Sequence, residues 1–197
     1  ADRMGPGELA SCAFGQSSKI SYMEMAAAVC AVVNGGRLMQ PYLVSDILNP
    51  DGSVLQHIDP ESDYLRALYR DTHLKLLYPR MASGHLQGRM LKMFVRMIQP
   101  RQVLEIGTYS GYSALCMAEG LSDGAMLHTI EINDEQEDFT RPWLEGSPYA
   151  DKIKFYIGDA LELVPRLGLT FDLVFVDGDK RKYLDYYEMA LTCLSDG

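Results

Sequence analysis

The feature that most constrains the fold is an alternation of apolar and amphipathic segments from residue 103 onward. Four apolar segments rich in β-branched residues have the length of buried strands, and a stretch with helical spacing follows each of them. The four segments are VLEIG (103–107), MLHTIEI (126–132), KIKFYIG (152–158) and FDLVFVDG (171–178). This βαβ alternation predicts a parallel sheet with helices on both faces, which is the α/β class.

The segments between these strands predict helices at 112–120, about 134–144 and 159–167, and another after residue 180. Pro142 should end or kink the second of these helices, because proline has no amide proton to donate. Two amphipathic helices are also predicted upstream of the first strand. They lie in ESDYLRALYRDTHLKLLY (61–78) and GHLQGRMLKMFVRMI (84–98).

Residues 1–58 follow a different pattern. A capping box and an apolar run in SYMEMAAAVCAVVNGG (21–36) predict a helix. Two strand-like segments flank the turn sequence NPDG (49–52) and predict a hairpin. We therefore expect an N-terminal helix-plus-hairpin segment at 1–58 and a separate domain at 59–197.

Charge and composition exclude several classes of partner. The net charge is −9 and no basic stripe is visible, so we expect no nucleic acid partner and no anionic membrane partner. No apolar run approaches the roughly 18–20 residues of a membrane span. The four cysteines and four histidines have no metal-ligand spacing.

The loop EIGTYSG (105–111) follows the first predicted strand and indicates a ligand site, because open parallel sheets bind ligands at the carboxyl ends of their strands. Its glycine spacing is G-x-x-x-G, not the G-x-G-x-x-G of dinucleotide sites, and no Lys or Arg occurs from Glu105 to Ala118. Glu105 would repel phosphate and suit a cation. S-adenosylmethionine carries a sulfonium and an ammonium group and has no phosphate.

Glu131 lies at the end of the second strand, where an acid accepts hydrogen bonds from ribose hydroxyls. Glu131 alone is compatible with either a dinucleotide or S-adenosylmethionine, so Glu105 decides between them. A structural glycine turn without a ligand is the remaining alternative.

Charged residues follow the fourth strand in DGDKRKY (177–183). Asp177 is a hard oxygen ligand that suits Mg²⁺ or a similar cation. Lys180, if a metal and a cationic ligand lowered its pKa, could act as a general base. A solvated helix start is the alternative interpretation of these charges.

Residues 61–197 closely resemble the metal-dependent O-methyltransferases of the catechol and caffeoyl-CoA type, in particular the bacterial branch. The matching segments, in family order, are RMASGHLQGRML, VLEIGTYSGYSAL, TIEIN, YIGDALELVPRL and FDLVFVDGDKRKYLDYYEMAL. The resemblance implies a Rossmann-like class I methyltransferase fold in the cytoplasm. It also implies S-adenosylmethionine as cofactor, a divalent metal, and a small acceptor with neighbouring hydroxyl groups.

The same resemblance implies the roles of individual residues. The cofactor contacts it implies are Ser83, Glu105, Gly107, Thr108, Tyr109, Ser113, Glu131, Asp159, Ala160 and Asp179. Ser83 would lie near the methionine end of the cofactor, Glu131 on the ribose, and Asp159 with Ala160 against the adenine. Asp177 would be a metal ligand and Lys180 the catalytic base.

The family continues beyond the last segment matched here with further strands and an Asp-Asn pair that completes its metal site. We therefore expect a sheet truncated after strand four and an incomplete, poorly binding metal site. An uncovered sheet edge favours association, so a homodimer is consistent with the sequence.

The first 58 residues resemble part of the transpeptidase domain of penicillin-binding proteins, through FGQ (14–16), NGGRLMQPY (34–42) and the predicted hairpin. The motifs Ser-x-x-Lys, Ser-x-Asn and Lys-Thr-Gly that carry the chemistry of that family occur nowhere in the chain. We therefore expect no activity from this segment, and we hypothesise that two unrelated fragments join near residues 56–62. Two alternative functions remain, a non-catalytic transpeptidase fragment and a nicotinamide-dependent oxidoreductase.

Overall fold

The computed structural model describes residues 47–48, 54–55 and 60–195, and it divides into two units, residues 1–57 and residues 58–197. In the first unit the strands Ile47–Leu48 and Val54–Leu55 pair antiparallel, with Ile47 opposite Leu55. This pairing confirms the hairpin predicted around the NPDG turn. The helix predicted at 21–36 lies outside the described residues.

The second unit contains a parallel sheet of four strands with the order β3-β2-β1-β4. The strands are β1 (Gln102–Ile106), β2 (Met126–Glu131), β3 (Ile153–Ile157) and β4 (Leu173–Val176). In register, Val103 of β1 lies opposite Leu127 of β2 and Leu173 of β4. The predicted α/β fold is confirmed, and β1 is paired on both sides.

Six helices accompany these strands in the described part of the chain. They are α1 (Asp63–Lys75), α2 (His85–Ile98), α3 (Tyr112–Gly120), α4 (Glu137–Glu145), α5 (Ala160–Leu167) and α6 (Tyr183–Cys193). Of the two outcomes predicted for Pro142, an end or a kink, the end is wrong, since α4 continues to Glu145. The carbonyl oxygen of Pro142 still accepts a hydrogen bond from the amide of Gly146 at 3.0 Å, so the helical bonding resumes after the missing donor.

The core lies on both faces of the sheet, because successive side chains of a strand point to opposite faces. Val103 and Leu127 pack with apolar residues of α1, α2 and α3 on one face. Leu104 and Ile130 pack with residues of α5 and α6 on the other. Helices therefore cover both faces, as the βαβ pattern predicts.

The backbone that follows α6 returns to the sheet beside the start of β4. Leu194 forms a parallel bridge with Phe171. The amide of Phe171 donates to the carbonyl oxygen of Cys193 at 2.7 Å, and the amide of Ser195 donates to the carbonyl oxygen of Phe171 at 2.9 Å.

Among the described helices, none combines the length and the apolar character needed to span a bilayer.

Candidate functional site

A cavity of about 550 Å³ opens where the parallel strands end. Its walls come mainly from residues at or just after the strand ends, together with the segment from Arg80 to Ser83 ahead of α2 and a few helical side chains. This volume lies within the range of roughly 300–1,000 Å³ that is typical of small-molecule sites. The cavity is therefore large enough to be a ligand site, and it lies where open parallel sheets bind ligands.

The structure brings ten of the twelve predicted site residues together on the wall of this cavity. They are Ser83, Gly107, Thr108, Tyr109, Ser113, Glu131, Ala160, Asp177, Asp179 and Lys180. Glu105 and Asp159 are not on the wall. Both lie close behind it, next to residues that are.

Gly107 fixes the close approach of two strand ends. Its φ is +97°, and a Cβ atom there would lie 2.5 Å from the carbonyl oxygen of Asp177. Its amide donates to the carbonyl oxygen of Ile130 at 2.9 Å. No residue with a side chain fits between β2 and β4 at this point, so the cavity floor depends on glycine.

Glu131 is held at the end of β2 by backbone amides. Its Oε2 atom accepts a hydrogen bond from the amide of Tyr109 at 2.7 Å, and its Oε1 atom accepts one from the amide of Asn133 at 3.0 Å. A carboxylate has about four lone-pair positions, so two remain for a ligand. Since Glu131 is buried on the cavity wall, those positions suit ligand hydroxyl groups.

Glu105 lies on β1 and is completely buried. Its Oε2 atom accepts a hydrogen bond from the Thr129 hydroxyl at 2.6 Å, while Oε1 has no hydrogen-bond partner in the described part of the chain. Burial raises the pKa of Glu105 to about 8, and the charges of Asp177 and Glu131 add to this shift while nearby hydroxyls oppose it. Glu105 is therefore mostly protonated at neutral pH in the absence of a ligand. The sequence suggested a permanent negative charge at this position, and the structure does not support that expectation.

Three charged residues follow β4 on the cavity wall. The side chain of Asp177 reaches solvent, but loss of hydration on its protein side raises its pKa, and Lys180 opposes that shift. Asp179 forms an ion pair with Arg181 at 2.7 Å, and hydrogen bonds from Arg181 lower the pKa of Asp179 to about 2. Lys180 therefore shares this wall with one partly desolvated carboxyl and one paired carboxylate.

The donor set for a metal ion is small. A hard divalent cation takes about six oxygen ligands. Within residues 60–195 no group of three or more His, Cys, Asp or Glu side chains could hold a metal ion. Asp177 alone does not fit a resident divalent cation, so we assign no chemical step to a metal.

Asp159 acts behind the wall and does not line it. Its Oδ1 atom accepts a hydrogen bond from the amide of Leu161 at 3.0 Å and so caps α5. Its Oδ2 atom accepts one from Lys182 Nζ at 2.8 Å, and this ion pair lowers the pKa of Asp159. The flanking residues Gly158 and Ala160 line the cavity instead.

Sequence reasoning missed several wall residues, among them Gln87, Ile132 and Tyr186. Ile132 directly follows Glu131 and its side chain is 58% exposed, so its position after a strand end was a usable signal. Tyr186 is buried on α6 and packs near Gly178. Nothing in the sequence marks Tyr186 as different from the other tyrosines of that helix.

Two protein-family models match this chain. Residues 53–197 match the O-methyltransferase family. Residues 6–68 match the penicillin binding protein transpeptidase domain. Both resemblances noted in the sequence are therefore found in the order predicted.

Individual relatives agree with the first match. The chain is 36% identical over 114 residues to a catechol O-methyltransferase of Mycobacterium tuberculosis, covering 57% of this chain and 52% of that protein. It is 33% identical over 134 residues to caffeoyl-CoA O-methyltransferase 1 of Zea mays, covering 65% of this chain and 52% of that protein. The chain thus spans about half the length of the curated relatives it matches.

A solved structure of an O-methyltransferase from Bacillus cereus in complex with SAH superposes with a TM-score of 0.67 at 29% identity, covering 72% of this chain and 66% of that one. The parallel sheet and the cavity at its carboxyl edge therefore occur in a fold shared with this enzyme. Because the matching family model spans residues 53–197, well over half of the sequence, the chain belongs to the O-methyltransferase family.

Proposed function

We propose that the cavity binds S-adenosylmethionine and that the parent activity is methyl transfer to a hydroxyl group of a small vicinal-diol or catechol-like acceptor. The observation that carries this proposal is Glu131, a buried carboxylate fixed by two backbone amides on the cavity wall. A fixed acceptor of this kind suits the two hydroxyl groups of a ribose. The loop from Glu105 to Ala118 contains no Lys or Arg to hold a pyrophosphate.

Three features of the cavity support the proposal for the rest of this cofactor. Gly107 leaves the floor free of side chains, and the buried Ala160 offers a small apolar surface for the adenine ring. The amino end of α3, where Ser113 lies, presents backbone amides suited to a carboxylate. The cofactor, when bound, supplies a methyl group on a positively charged sulfur.

Lys180 is the proposed general base. It lies on the cavity wall among residues that follow β4, where it can meet the acceptor hydroxyl. An amine accepts a proton through its nitrogen lone pair, so Lys180 would act in its neutral form. Lys180 would then take the hydroxyl proton as the oxygen attacks the methyl group.

A divalent metal such as Mg²⁺, with Asp177 as a ligand, is also part of what the resemblance implies. Within residues 60–195 Asp177 belongs to no group of three or more such ligands, so we propose that a metal held by Asp177 binds weakly to this chain.

The remaining proposals concern context. We propose that the protein works in the cytoplasm, where S-adenosylmethionine is found, and that it can form a homodimer. We also propose that residues 1–58 and 59–197 have unrelated origins. Amplifying the gene from source DNA across residue 58 tests the last point, since one contiguous reading frame there would count against a chimera.

Isothermal titration calorimetry with S-adenosylhomocysteine, NAD and a β-lactam tests the function directly. We expect heat only with S-adenosylhomocysteine. Heat only with NAD would establish a nicotinamide site, and heat only with the β-lactam would establish a transpeptidase fragment. Replacing Glu131 by Ala should weaken nucleoside binding by about 1–3 kcal/mol, because a hydrogen-bonded charged acceptor is lost.

Glu162→Ala is the matched control for this substitution. Glu162 is an exposed residue of α5 whose carboxylate pairs with Arg166, and it does not line the cavity. Its replacement should leave the affinity for S-adenosylhomocysteine unchanged. Equal affinities of the Glu131 and Glu162 variants would remove Glu131 from the proposed site.

A further inference from the structure

A buried chain of hydrogen bonds connects the cavity wall to Glu105. The hydroxyl oxygens of Thr108 and Thr129 are 2.6 Å apart, and the Thr129 hydroxyl is 2.6 Å from Glu105 Oε2. All three side chains are at least 98% buried. Thr108 lines the cavity, whereas Thr129 does not, and no function is yet assigned to Thr129.

The direction of this chain depends on the charge of Glu105. An ionised carboxylate only accepts hydrogen bonds, so Thr129 must donate to Glu105 and Thr108 must donate to Thr129. Thr108 then has no hydroxyl proton left and presents only lone pairs to the cavity. In this state the wall at Thr108 suits a ligand group that donates a hydrogen bond, such as an ammonium group.

Protonation of Glu105 reverses the chain. Oε1 makes no hydrogen bond in the described part of the chain, whereas Oε2 already has the Thr129 oxygen at 2.6 Å, which favours Oε2 as the protonated atom. With the proton on Oε2, Thr129 must turn its own proton toward Thr108. Thr108 then presents an O–H group to the cavity and disfavours a cationic donor.

We propose that Thr129 is a positioning residue that transmits the protonation state of Glu105 to Thr108, so that a positively charged ligand binds with release of one proton. The proton passes from Glu105 to the solvent, and the ligand charge balances the carboxylate that remains. This inference rests on the proposed binding of S-adenosylmethionine. The site would then prefer a positively charged ligand, and this preference would weaken as the pH falls and Glu105 becomes protonated.

The surroundings of Glu105 favour the protonated form before a ligand binds. Burial comes first, and the acidic groups of Glu131 at the end of β2 and Asp177 after β4 add to it. The hydroxyls of Ser113 on α3 and Thr129 on β2 oppose this effect. Burial and the acidic groups outweigh the hydroxyls, and the pKa of Glu105 is raised to about 8.

The expected size of the effect follows from proton linkage. If only ionised Glu105 binds the cation, affinity falls roughly 80-fold between pH 8.5 and pH 6, and about 0.9 proton is released at pH 7. The neutral nucleoside 5′-methylthioadenosine, which lacks the amino-acid part and the sulfonium charge, should bind with no such dependence. Titration calorimetry in buffers of different ionisation enthalpy measures both quantities.

Four variants make the test specific. Glu105→Gln should abolish the proton release and leave only any titration of the ligand itself. Thr129→Val removes a hydrogen bond that favours ionised Glu105, so S-adenosylmethionine binding at pH 7 should fall about tenfold. Thr129→Ser should restore the wild-type profile. Thr72→Val, at a buried threonine of α1 that donates to Leu68, is the matched control and should not change it.

Thermal melts establish that each variant is folded before its titration. Proton release that persists in Glu105→Gln, or wild-type affinity that is equal at pH 6 and pH 8.5, would overturn the inference and leave the proposed function standing. A Thr129→Val profile identical to the wild type would also overturn it. No heat with S-adenosylmethionine at any pH would reject the proposed function and this inference together.

Discussion

Among the glycines of residues 60–195 that have a positive φ, Gly107 should be the one whose replacement by Ala destabilises the protein most. A Cβ atom at φ +97° is strained, which costs about 1–2 kcal/mol. The same atom would lie 2.5 Å from the carbonyl oxygen and 2.8 Å from the carbonyl carbon of Asp177. Relieving such overpacking adds about 1–3 kcal/mol, so the total loss is about 2–5 kcal/mol.

Gly124→Ala separates the two contributions. Gly124 has φ +79°, and no atom lies within 4 Å of the Cβ position, so only the backbone strain of about 1–2 kcal/mol applies. Urea unfolding followed by circular dichroism gives both free energies of unfolding. Gly107→Ala should also lose binding of S-adenosylhomocysteine, because β4 must move away from β1. Equal destabilisation by the two variants would refute the close approach described here.

Three further predictions concern packing and charge. Gly88→Ala should cost about 1–3 kcal/mol of unfolding free energy in urea, since its Cβ would lie 2.5 Å from a cysteine sulfur of α3. The second prediction concerns Glu119. Burial alone would raise the pKa of Glu119, but hydrogen bonds from Arg89 and a lysine outweigh it and hold that pKa below its usual value. The ionised Glu119 carboxylate therefore stabilises the fold at pH values above its unfolded pKa, and this stabilisation is lost as the pH falls through its folded pKa. Arg89→Met removes one of the hydrogen bonds that lower the folded pKa, so acid unfolding of this variant should begin at a higher pH than in the wild type. Lys182→Met should raise the pKa of Asp159 toward its ordinary value in an NMR titration.

The strands and the position of the site could be predicted from sequence because local signals set them. Each strand is a short apolar run, and α3 has the predicted bounds of 112–120. Glu131 is the last residue of β2 and Asp177 directly follows β4, and parallel strands bring their carboxyl ends to one edge. Most of the ten predicted residues on the cavity wall meet there for this reason.

The features that escaped prediction depend on contacts between distant segments. Asp159 lies behind the cavity wall, where it pairs with Lys182, 23 residues later in the chain. The charge of Glu105 depends on complete burial and on neighbouring carboxylates, which sequence order does not show. Pro142 does not end α4, and its carbonyl group accepts a hydrogen bond from the amide of Gly146, a contact that the residue type alone does not reveal.

The bridge between Leu194 and Phe171 fixes a direction and a register. The backbone amide and carbonyl group of Phe171 are both satisfied by the segment that follows α6. Unpaired backbone groups along a sheet edge favour pairing with another chain. The segment after α6 therefore leaves less of the backbone beside the start of β4 open to such pairing.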